Sequence, residues 1–155
     1  MNYWLMKSEP DVFGIDDLRA RPNQIEPWDG VRNYQARNMM RDEMKIGDRI
    51  FFYHSNAQPS GIVGTMTVAR EGYPDLTAQN PESDYFDPKA NTENPRWFQI
   101  DVKFEQKFAR LIPLSELKEI CELDGMLLLA KGSRLSITPV SKTHWDIILE
   151  LVGSR

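Results

Sequence analysis

The sequence contains a single cysteine and only two histidines, which limits the covalent and metal chemistry open to it. One cysteine excludes an internal disulfide framework and cannot by itself hold zinc. Cys121 stands among apolar residues near the end of a predicted helix, so we expect a small buried side chain rather than a nucleophile. His54 and His144 fall in separate predicted elements. We therefore expect no metal site and no cofactor.

Long apolar runs and an excess of positive charge are also missing. No stretch approaches the ~20 apolar residues that span a bilayer, and the first residues do not follow the basic-then-apolar plan of a signal peptide. We therefore expect an intracellular protein without a membrane partner. The 23 acidic residues outnumber the 19 basic ones, which gives a formal net charge of -4. A nucleic-acid partner would need a local cationic patch, and indiscriminate duplex binding is disfavoured.

The residues that are present fit one domain over positions 1–155, and the absence of a strong dimerisation pattern predicts a monomer. Alternating hydrophobicity and turn residues predict strands at residues 3–6, 49–54, 61–68 and 97–104. Capping residues and helical spacing predict helices at residues 15–20, 34–44, 116–121 and 142–151, the last three capped by Asn33, Ser115 and Ser141. This mixture indicates an α+β fold with a strongly bent sheet or a small barrel.

Residues 74–95 form a long polar stretch that is rich in proline, asparagine and aspartate. Its length is unusual for a connection without regular structure, and such loops are often functional. One hypothesis for the whole chain is therefore a protein-interaction adaptor that uses this stretch as its contact surface.

Trp28 stands in a polar loop with proline and glycine neighbours and is followed by Arg32, Arg37 and Arg41. A large indole in such a loop either plugs the end of the sheet or forms a wall on which a nucleobase stacks, which is worth roughly 1–3 kcal/mol. Arg32 directly precedes Asn33, the predicted helix cap, where an arginine and the helix N-terminus can hold a phosphate. For Arg41 we prefer the interpretation that its side chain lies on a solvent-exposed face of the helix. Both interpretations of Trp28 stay open.

Three further polar clusters are candidate contacts. Lys7-Ser8-Glu9 ends the first predicted strand, where side chains are held rigidly, although an ordinary turn of small and charged residues explains it at least as well. Tyr53-His54-Ser55 ends the second strand and places an aromatic ring beside an imidazole and a hydroxyl group. Gly132-Ser133-Arg134 follows an apolar run and is a weak phosphate-loop signal, for which a helix C-cap with an exposed arginine is the simpler explanation.

A series of longer motifs runs through the chain in one register. In order, they are Tyr3-Trp4-Leu5-Met6-Lys7-Ser8-Glu9-Pro10, Trp28-Asp29-Gly30-Val31-Arg32-Asn33-Tyr34-Gln35-Ala36-Arg37-Asn38, Met44-Lys45-Ile46-Gly47-Asp48, Phe51-Phe52-Tyr53-His54-Ser55, Gly61-Ile62-Val63-Gly64, Glu71-Gly72-Tyr73-Pro74-Asp75, Tyr85-Phe86-Asp87-Pro88-Lys89, Pro95-Arg96-Trp97 and Gly132-Ser133-Arg134-Leu135-Ser136-Ile137. Through these motifs, which cover nearly the whole chain, the sequence resembles the EVE-domain family.

The resemblance implies a PUA-like fold, that is, a bent, mostly antiparallel β-barrel flanked by short helices. It also implies a non-enzymatic module that takes a modified nucleobase of DNA or RNA, particularly a modified cytosine, into an aromatic and polar pocket. Carried over by position, the residues expected to bind the base and the nucleic acid are Lys7, Ser8, Glu9, Trp28, Val31, Arg32, Asn33, Arg37, Tyr53, His54, Ser55 and Arg134. The chain has neither the basic N-terminal extension of nuclear relatives nor a fused nuclease or helicase domain, so we expect a cytoplasmic, bacterial protein.

The main alternative is a hydrolase that acts on a nucleotide or a modified nucleoside. In that hypothesis His54 is the general base and Glu9 or Asp29 its partner. The pattern of a nucleophile, a base and an orienting group is not legible in the sequence, although such groups need not be neighbours in the chain.

Overall fold

Six strands form one mixed sheet in the computed structural model, which describes residues 1–132 and 134–153. The strands are β1 (Tyr3–Ser8), β2 (Ile25–Pro27), β3 (Arg49–His54), β4 (Gly61–Pro74), β5 (Phe98–Pro113) and β6 (Ile137–Val140). Their order across the sheet is β2-β5-β4-β3-β1-β6. β1 pairs with β3 in parallel, and the other four neighbouring pairs are antiparallel. The predicted α+β class is confirmed.

The sheet has two edges, β2 and β6. Within the described residues these edge strands do not pair with each other, so the predicted closure into a barrel is not confirmed. Register shifts interrupt the pairing of β3 with β4 once and that of β4 with β5 four times. Because such bulges bend a strand and increase its twist, the long strands β4 and β5 curve without closing the sheet.

Within the described residues five helices connect and cover the strands, and the last of them is the longest. They are α1 (Pro10–Phe13), α2 (Ile15–Ala20), α3 (Tyr34–Asn38), α4 (Leu114–Lys118) and α5 (Lys142–Leu151), and a π-helical turn, Met39–Glu43, continues α3. The predicted caps of α3 and α5 are confirmed, because Asn33 Oδ1 accepts a hydrogen bond from Ala36 N at 2.9 Å and Ser141 Oγ accepts one from His144 N at 3.1 Å. Among the described residues no helix has the length and apolar character needed to cross a membrane.

The structure differs from the sequence-based predictions at five points. β4 and β5 run to Pro74 and Pro113, well beyond their predicted ends. Because β5 continues to Pro113, α4 begins directly after that proline, so Ser115 lies inside the helix and the predicted Ser115 cap is wrong. β2 and β6 were not predicted: β2 has three residues, and β6 contains Pro139, a residue tolerated mainly in edge strands.

The prediction that Cys121 is buried is also wrong. Cys121 is exposed and begins a 3₁₀ turn, Cys121–Leu123, instead of ending a helix. Its Sγ donates a hydrogen bond to Glu122 Oε1 at 3.1 Å, and this carboxylate raises the pKa of the thiol. The thiolate is therefore disfavoured, which agrees with the expectation that Cys121 is not an activated nucleophile.

Alternate residues of β1 and β3 contribute to two separate hydrophobic cores, one on each face of the sheet. The first core contains Trp4 and Phe52 together with Trp28 and residues of α2 and α3. The second core contains Leu5 and Phe51 and includes residues of α4 and α5.

The polar segment between β4 and β5, residues 75–97, is ordered by a small cluster of its own, and we call it the excursion. Ala78, Ala90 and Trp97 are buried together. Asp87 anchors the segment, because its Oδ2 accepts a hydrogen bond from Trp97 Nε1 at 2.7 Å and lies 3.2 Å from Arg96 Nε. The bond from Trp97 is also the main reason why the pKa of Asp87 is lowered. The excursion is thus a fixed element beside the sheet.

Candidate nucleic-acid interface

A cavity of about 390 Å³ lies where β1 ends and the connection to β3 begins, and we call it the Trp28 pocket. Most of its lining comes from that connection, while the excursion contributes Tyr85 and the segment before β6 contributes Ser136. Its volume falls in the range of small-molecule sites, roughly 300–1,000 Å³. The lining residues are Lys7, Ser8, Glu9, Val12, Phe13, Arg21, Glu26, Pro27, Trp28, Asp29, Gly30, Val31, Arg32, Tyr85 and Ser136.

Trp28 is both a core residue and a wall of the pocket. Only 8% of it is exposed, and its ring packs edge-on against Phe52 at 5.5 Å and against Phe13 at 6.1 Å. Its backbone N–H donates to the carbonyl of Ile100 at 2.8 Å, which extends the pairing of β2 with β5 by one residue. The two interpretations of Trp28 therefore do not exclude each other, because burial of one side of the ring fixes the side that borders the pocket.

Tyr85 contributes a second aromatic ring to the pocket and packs against Gly30. Gly30 has a φ of +78°, and a Cβ at this position would come within 2.7 Å of the Tyr85 ring. Glycine is therefore required both for the backbone conformation and for the close approach of the ring. Tyr85 was not among the residues predicted for the site, since it lies more than 50 positions after Trp28 in a polar segment.

Arg32 holds the excursion against the connection between β1 and β3. Its Nη2 donates to the Tyr85 carbonyl at 2.6 Å, and its Nη1 lies 3.2 Å from Oδ2 of Asp75, which is fully buried. The same carboxylate oxygen accepts the Gly30 N–H at 2.9 Å. Arg32 lines the pocket, but most of its donors are engaged within the protein. It therefore shapes the rim more than it offers free donors to a phosphate.

The end of β1 supplies Lys7, Ser8 and Glu9. The Ser8 hydroxyl donates to the Phe13 carbonyl at 2.7 Å, so its oxygen remains free to accept a hydrogen bond from a ligand. Lys7 has no carboxylate within 4 Å among the described residues, and burial lowers its pKa. Glu9 is exposed at the rim.

The charges around the pocket are balanced, because its lining holds three cationic and three acidic side chains. Arg21 and Glu26 form an ion pair at 3.0 Å. The pKa of the Asp29 carboxyl is raised. The largest cause is desolvation by burial, followed by the negative charges of Asp75 and Glu26. The interior therefore suits a neutral group with polar edges better than it suits a phosphate.

The other predicted site residues do not line the Trp28 pocket as the structure describes it. Asn33 caps α3, and Tyr53 is buried in the second core on the opposite face of the sheet. His54 Nε2 accepts the Ile15 N–H at 3.2 Å, and burial lowers the pKa of this histidine. The Ser55 N–H donates to the Ser8 carbonyl at 3.0 Å.

The remaining two predicted residues are arginines that lie elsewhere. Arg37 contacts the Arg96 carbonyl and the Tyr34 ring. Arg134 is exposed, and Ser133, which precedes it in the predicted phosphate loop, lies outside the described residues. The structure thus brings six of the twelve predicted residues to one cavity: Lys7, Ser8, Glu9, Trp28, Val31 and Arg32.

No group of three or more histidine, cysteine or acidic side chains is placed to hold a metal ion in the part of the chain that the structure describes. The lone pair of His54 is occupied by the Ile15 N–H, which removes the main support for a hydrolase with His54 as the base. The pocket offers a cavity lined by the aromatic rings of Trp28 and Tyr85 and by hydrogen-bond acceptors such as Ser8 and Asp29.

Residues 2–151 match the family model of the EVE domain, and the chain belongs to this family of PUA-like proteins. Thymocyte nuclear protein 1 of mouse is 43% identical over 167 aligned residues, which cover 97% of this chain and 73% of the mouse protein. A crystal structure from Pseudomonas syringae is 48% identical, with a TM-score of 0.91 over 96% of this chain and 98% of the other. Human THYN1 in complex with DNA containing 5-methylcytosine is 41% identical, with a TM-score of 0.93 over 100% and 99% of the two chains.

Proposed function

We propose that this chain is a non-enzymatic reader of DNA that contains 5-methylcytosine, and that it takes the modified base into the Trp28 pocket. The observation that carries the proposal is the pairing of a charge-balanced, aromatic-walled pocket with a close structural relative that is complexed with such DNA. Six of the residues predicted from the family resemblance line this pocket. The proposed complex contains one chain and one base.

In the proposed complex the base stacks against Trp28 and lies beside Tyr85. Stacking on an aromatic side chain is worth roughly 1–3 kcal/mol per base, which offsets the few kcal/mol needed to extrude a base from a duplex. Extrusion costs less from a single strand, so we expect that single-stranded DNA with the same modification also binds.

The polar edge of the base meets hydrogen-bond acceptors in this arrangement. The exocyclic amino group of cytosine is a donor, and carboxylates are suited to accept from it. Asp29 lies at the pocket beside Trp28, and the Ser8 oxygen is free to accept because its hydrogen is used by Phe13. Both groups favour cytosine over thymine, which presents a carbonyl at the same position.

Discrimination of the methyl group is expected to be modest. One methyl or methylene group in an apolar slot is worth roughly 1–3 kcal/mol, or about 10–200-fold in affinity. The apolar side chains that can contact it are Val12, Phe13 and Val31.

The test is a titration at fixed, near-physiological salt with matched oligonucleotides that contain either cytosine or 5-methylcytosine. Duplex DNA, single-stranded DNA and RNA form separate arms. We expect 1:1 binding with at least a tenfold preference for the methylated DNA. Equal affinity for all oligonucleotides, with the same salt dependence, would overturn the proposal, and a preference confined to RNA would change the ligand class.

Two variants locate the binding site. Trp28→Ala removes a core residue as well as a wall, so it is used only with a folding check by circular dichroism. Tyr85→Ala changes a partly exposed residue outside the three cores and should weaken binding about tenfold or more. Phe86→Ala is the matched control, because Phe86 is the next residue, is 40% exposed and does not line the Trp28 pocket. Equal effects of Tyr85→Ala and Phe86→Ala would argue against base binding in this pocket.

A further inference from the structure

Arginine and aromatic side chains alternate along a surface that begins at the Trp28 pocket and extends over α3. The Arg32 guanidinium lies 5.7 Å from the Tyr85 ring and 5.4 Å from the Trp97 ring. Trp97 in turn stacks on Tyr34, with ring centroids 4.8 Å apart and planes at 21°. Arg37 and Arg96 lie over the Tyr34 ring at 4.7 and 5.9 Å. We call Tyr85, Arg32, Trp97, Tyr34, Arg37 and Arg96 the arginine–aromatic ladder.

The outer end of the ladder is open to solvent. Tyr34 is 49% exposed, although it is a large aromatic residue on a short helix. Its hydroxyl accepts a hydrogen bond from Arg96 Nη2, and its inner face is covered by Trp97. The ring is therefore held in one orientation, and its solvent-exposed part is where a nucleobase can contact it.

Arg37 is the member of the ladder whose charge is not neutralised. Arg32 lies beside Asp75 and Arg96 beside Asp87, but in the described chain Arg37 has no carboxylate within 4 Å. Its Nε and Nη2 donate to Asn38 Oδ1 and its Nη1 to the Arg96 carbonyl. A guanidinium has five N–H donors, so one donor on each terminal nitrogen stays free for an oxyanion.

We infer that the arginine–aromatic ladder binds the DNA strand that flanks the base held in the Trp28 pocket. Arg37 contacts a phosphate, and Tyr34 contacts a flanking base. Three steps of less than 6 Å lead from Tyr85 to Tyr34. A B-form strand advances ~3.4 Å along the helix axis for each nucleotide, so this path covers a few nucleotides.

Charge supports this assignment. The chain has a formal net charge of -4, and the Trp28 pocket itself is balanced, so attraction for a polyanion must come from a local surface. Arginine interleaved with aromatic rings is the combination that single strands require, because the guanidinium meets the phosphate and every base has a face that can stack. The inference rests on the proposed function and adds to it a second contact region outside the pocket.

The test uses single-stranded DNA with one 5-methylcytosine and flanks of zero to six nucleotides on either side. For the unaltered protein we expect the affinity to rise about tenfold as one flank is lengthened over the first few nucleotides, and then to level off. Arg37→Gln and Tyr34→Leu should remove most of this gain while keeping the preference for the methylated base. In Arg37→Gln the slope of log affinity against log salt should also fall by about 0.7, the value for one phosphate contact in a single strand.

Two control variants separate a binding role from a structural one. Lys118→Gln removes an exposed cation that likewise has no carboxylate within 4 Å among the described residues, but that lies on α4 beside the second core; flank dependence should be unchanged. Tyr34→Phe keeps the ring on Trp97 and loses only the contact with Arg96, so it should retain the gain from the flank.

The inference would be overturned if the affinity of Arg37→Gln and Tyr34→Leu depended on flank length and salt in the same way as that of the unaltered protein. The inference would also be overturned if Lys118→Gln lost the flank dependence, because the DNA would then be attracted by positive charges spread over the surface and not by the ladder. Failure of the proposed function would give a different result. The unaltered protein would then bind oligonucleotides with cytosine and with 5-methylcytosine with equal affinity, whatever the length of the flank.

Discussion

The two faces of the sheet differ in what covers them. On the face of the second core, the ten-residue helix α5 places Trp145 flat against Phe51, with ring centroids 3.8 Å apart. On the face of the first core, the cover consists of short helices and loops from the connection between β1 and β3. This looser cover leaves the Trp28 pocket at its edge. A long amphipathic helix seals one face, whereas a cover of short segments leaves room for a ligand on the other.

The side chains of the two cores fit this division. Five of the seven methionines, namely Met6, Met39, Met40, Met44 and Met66, are buried in the first core. Methionine is flexible and polarisable, so it fills irregular gaps between short segments. The second core instead contains a stacked aromatic pair and aliphatic residues of α5. Changes on the second face should therefore affect stability alone, and changes near the pocket should affect binding as well.

The largest expected effect on stability is that of Trp145→Ala. Trp145 is 1% exposed and contacts Phe51 and Tyr3, so its removal leaves a large cavity. We expect the free energy of unfolding to fall by about 3–5 kcal/mol in chemical denaturation. DNA affinity per folded molecule should not change. A loss of affinity at full folding would show that the two faces are coupled.

Arg32→Ala should lower stability somewhat less and should also abolish binding. It leaves Asp75 buried without its cation, which costs about 3 kcal/mol, and it releases the Tyr85 carbonyl. Denaturation and DNA titration of the same preparation test both effects. Arg32→Lys is the control, since it keeps a charge near Asp75 but loses the paired contacts with Tyr85. Binding at normal affinity in Arg32→Ala would contradict a rim held by this arginine.

Ser141→Ala should cost about 1 kcal/mol, because it removes the cap of α5 on the second face. Ser141→Asn retains a capping oxygen and should be close to neutral. Thermal unfolding measures both variants, and the DNA affinity of each should equal that of the unaltered protein. A larger loss of stability in Ser141→Asn than in Ser141→Ala would exclude capping as the cause.

The smallest effect concerns His54 and pH. Because burial lowers its pKa, the unfolded chain binds the proton more readily than the folded one. The contribution of neutral His54 to stability is therefore fully present above the usual histidine pKa of about 6.5 and is lost as the pH falls below it towards the lowered value. Denaturation midpoints between about pH 7 and pH 5 should decline less in His54→Gln. An identical decline in both proteins would assign the pH dependence to other groups.

The sequence predicted those parts of the candidate site that lie close together in the chain. The motif from Trp28 to Arg32 and the strand end at Ser8 were recognisable because each is a short run with unusual chemistry. The caps Asn33 and Ser141 were recognisable for the same reason: the side chain bonds to a backbone group three residues later.

The remaining parts of the site depend on contacts between distant segments. Arg32 and Asp75 are 43 positions apart, and Tyr85 reaches the pocket from the excursion, which is held by the bond between Asp87 and Trp97 and by Arg32. The position of His54 beside Tyr53 likewise gives no sign that its Nε2 accepts the distant Ile15 N–H. The ends of β4 and β5 were also missed, since bulged strands lose the regular alternation on which the prediction relied.

The parallel pairing of β1 with β3 has a consequence for how ligand preference can diversify. Parallel neighbours must be joined by a crossover, and here residues 9–48 form that crossover and supply most of the pocket lining. Substitutions or length changes in this segment outside β2 can reshape the pocket while the strand register of the sheet is left intact. A library restricted to its pocket-facing positions would therefore test whether the ligand preference of the proposed reader can be changed.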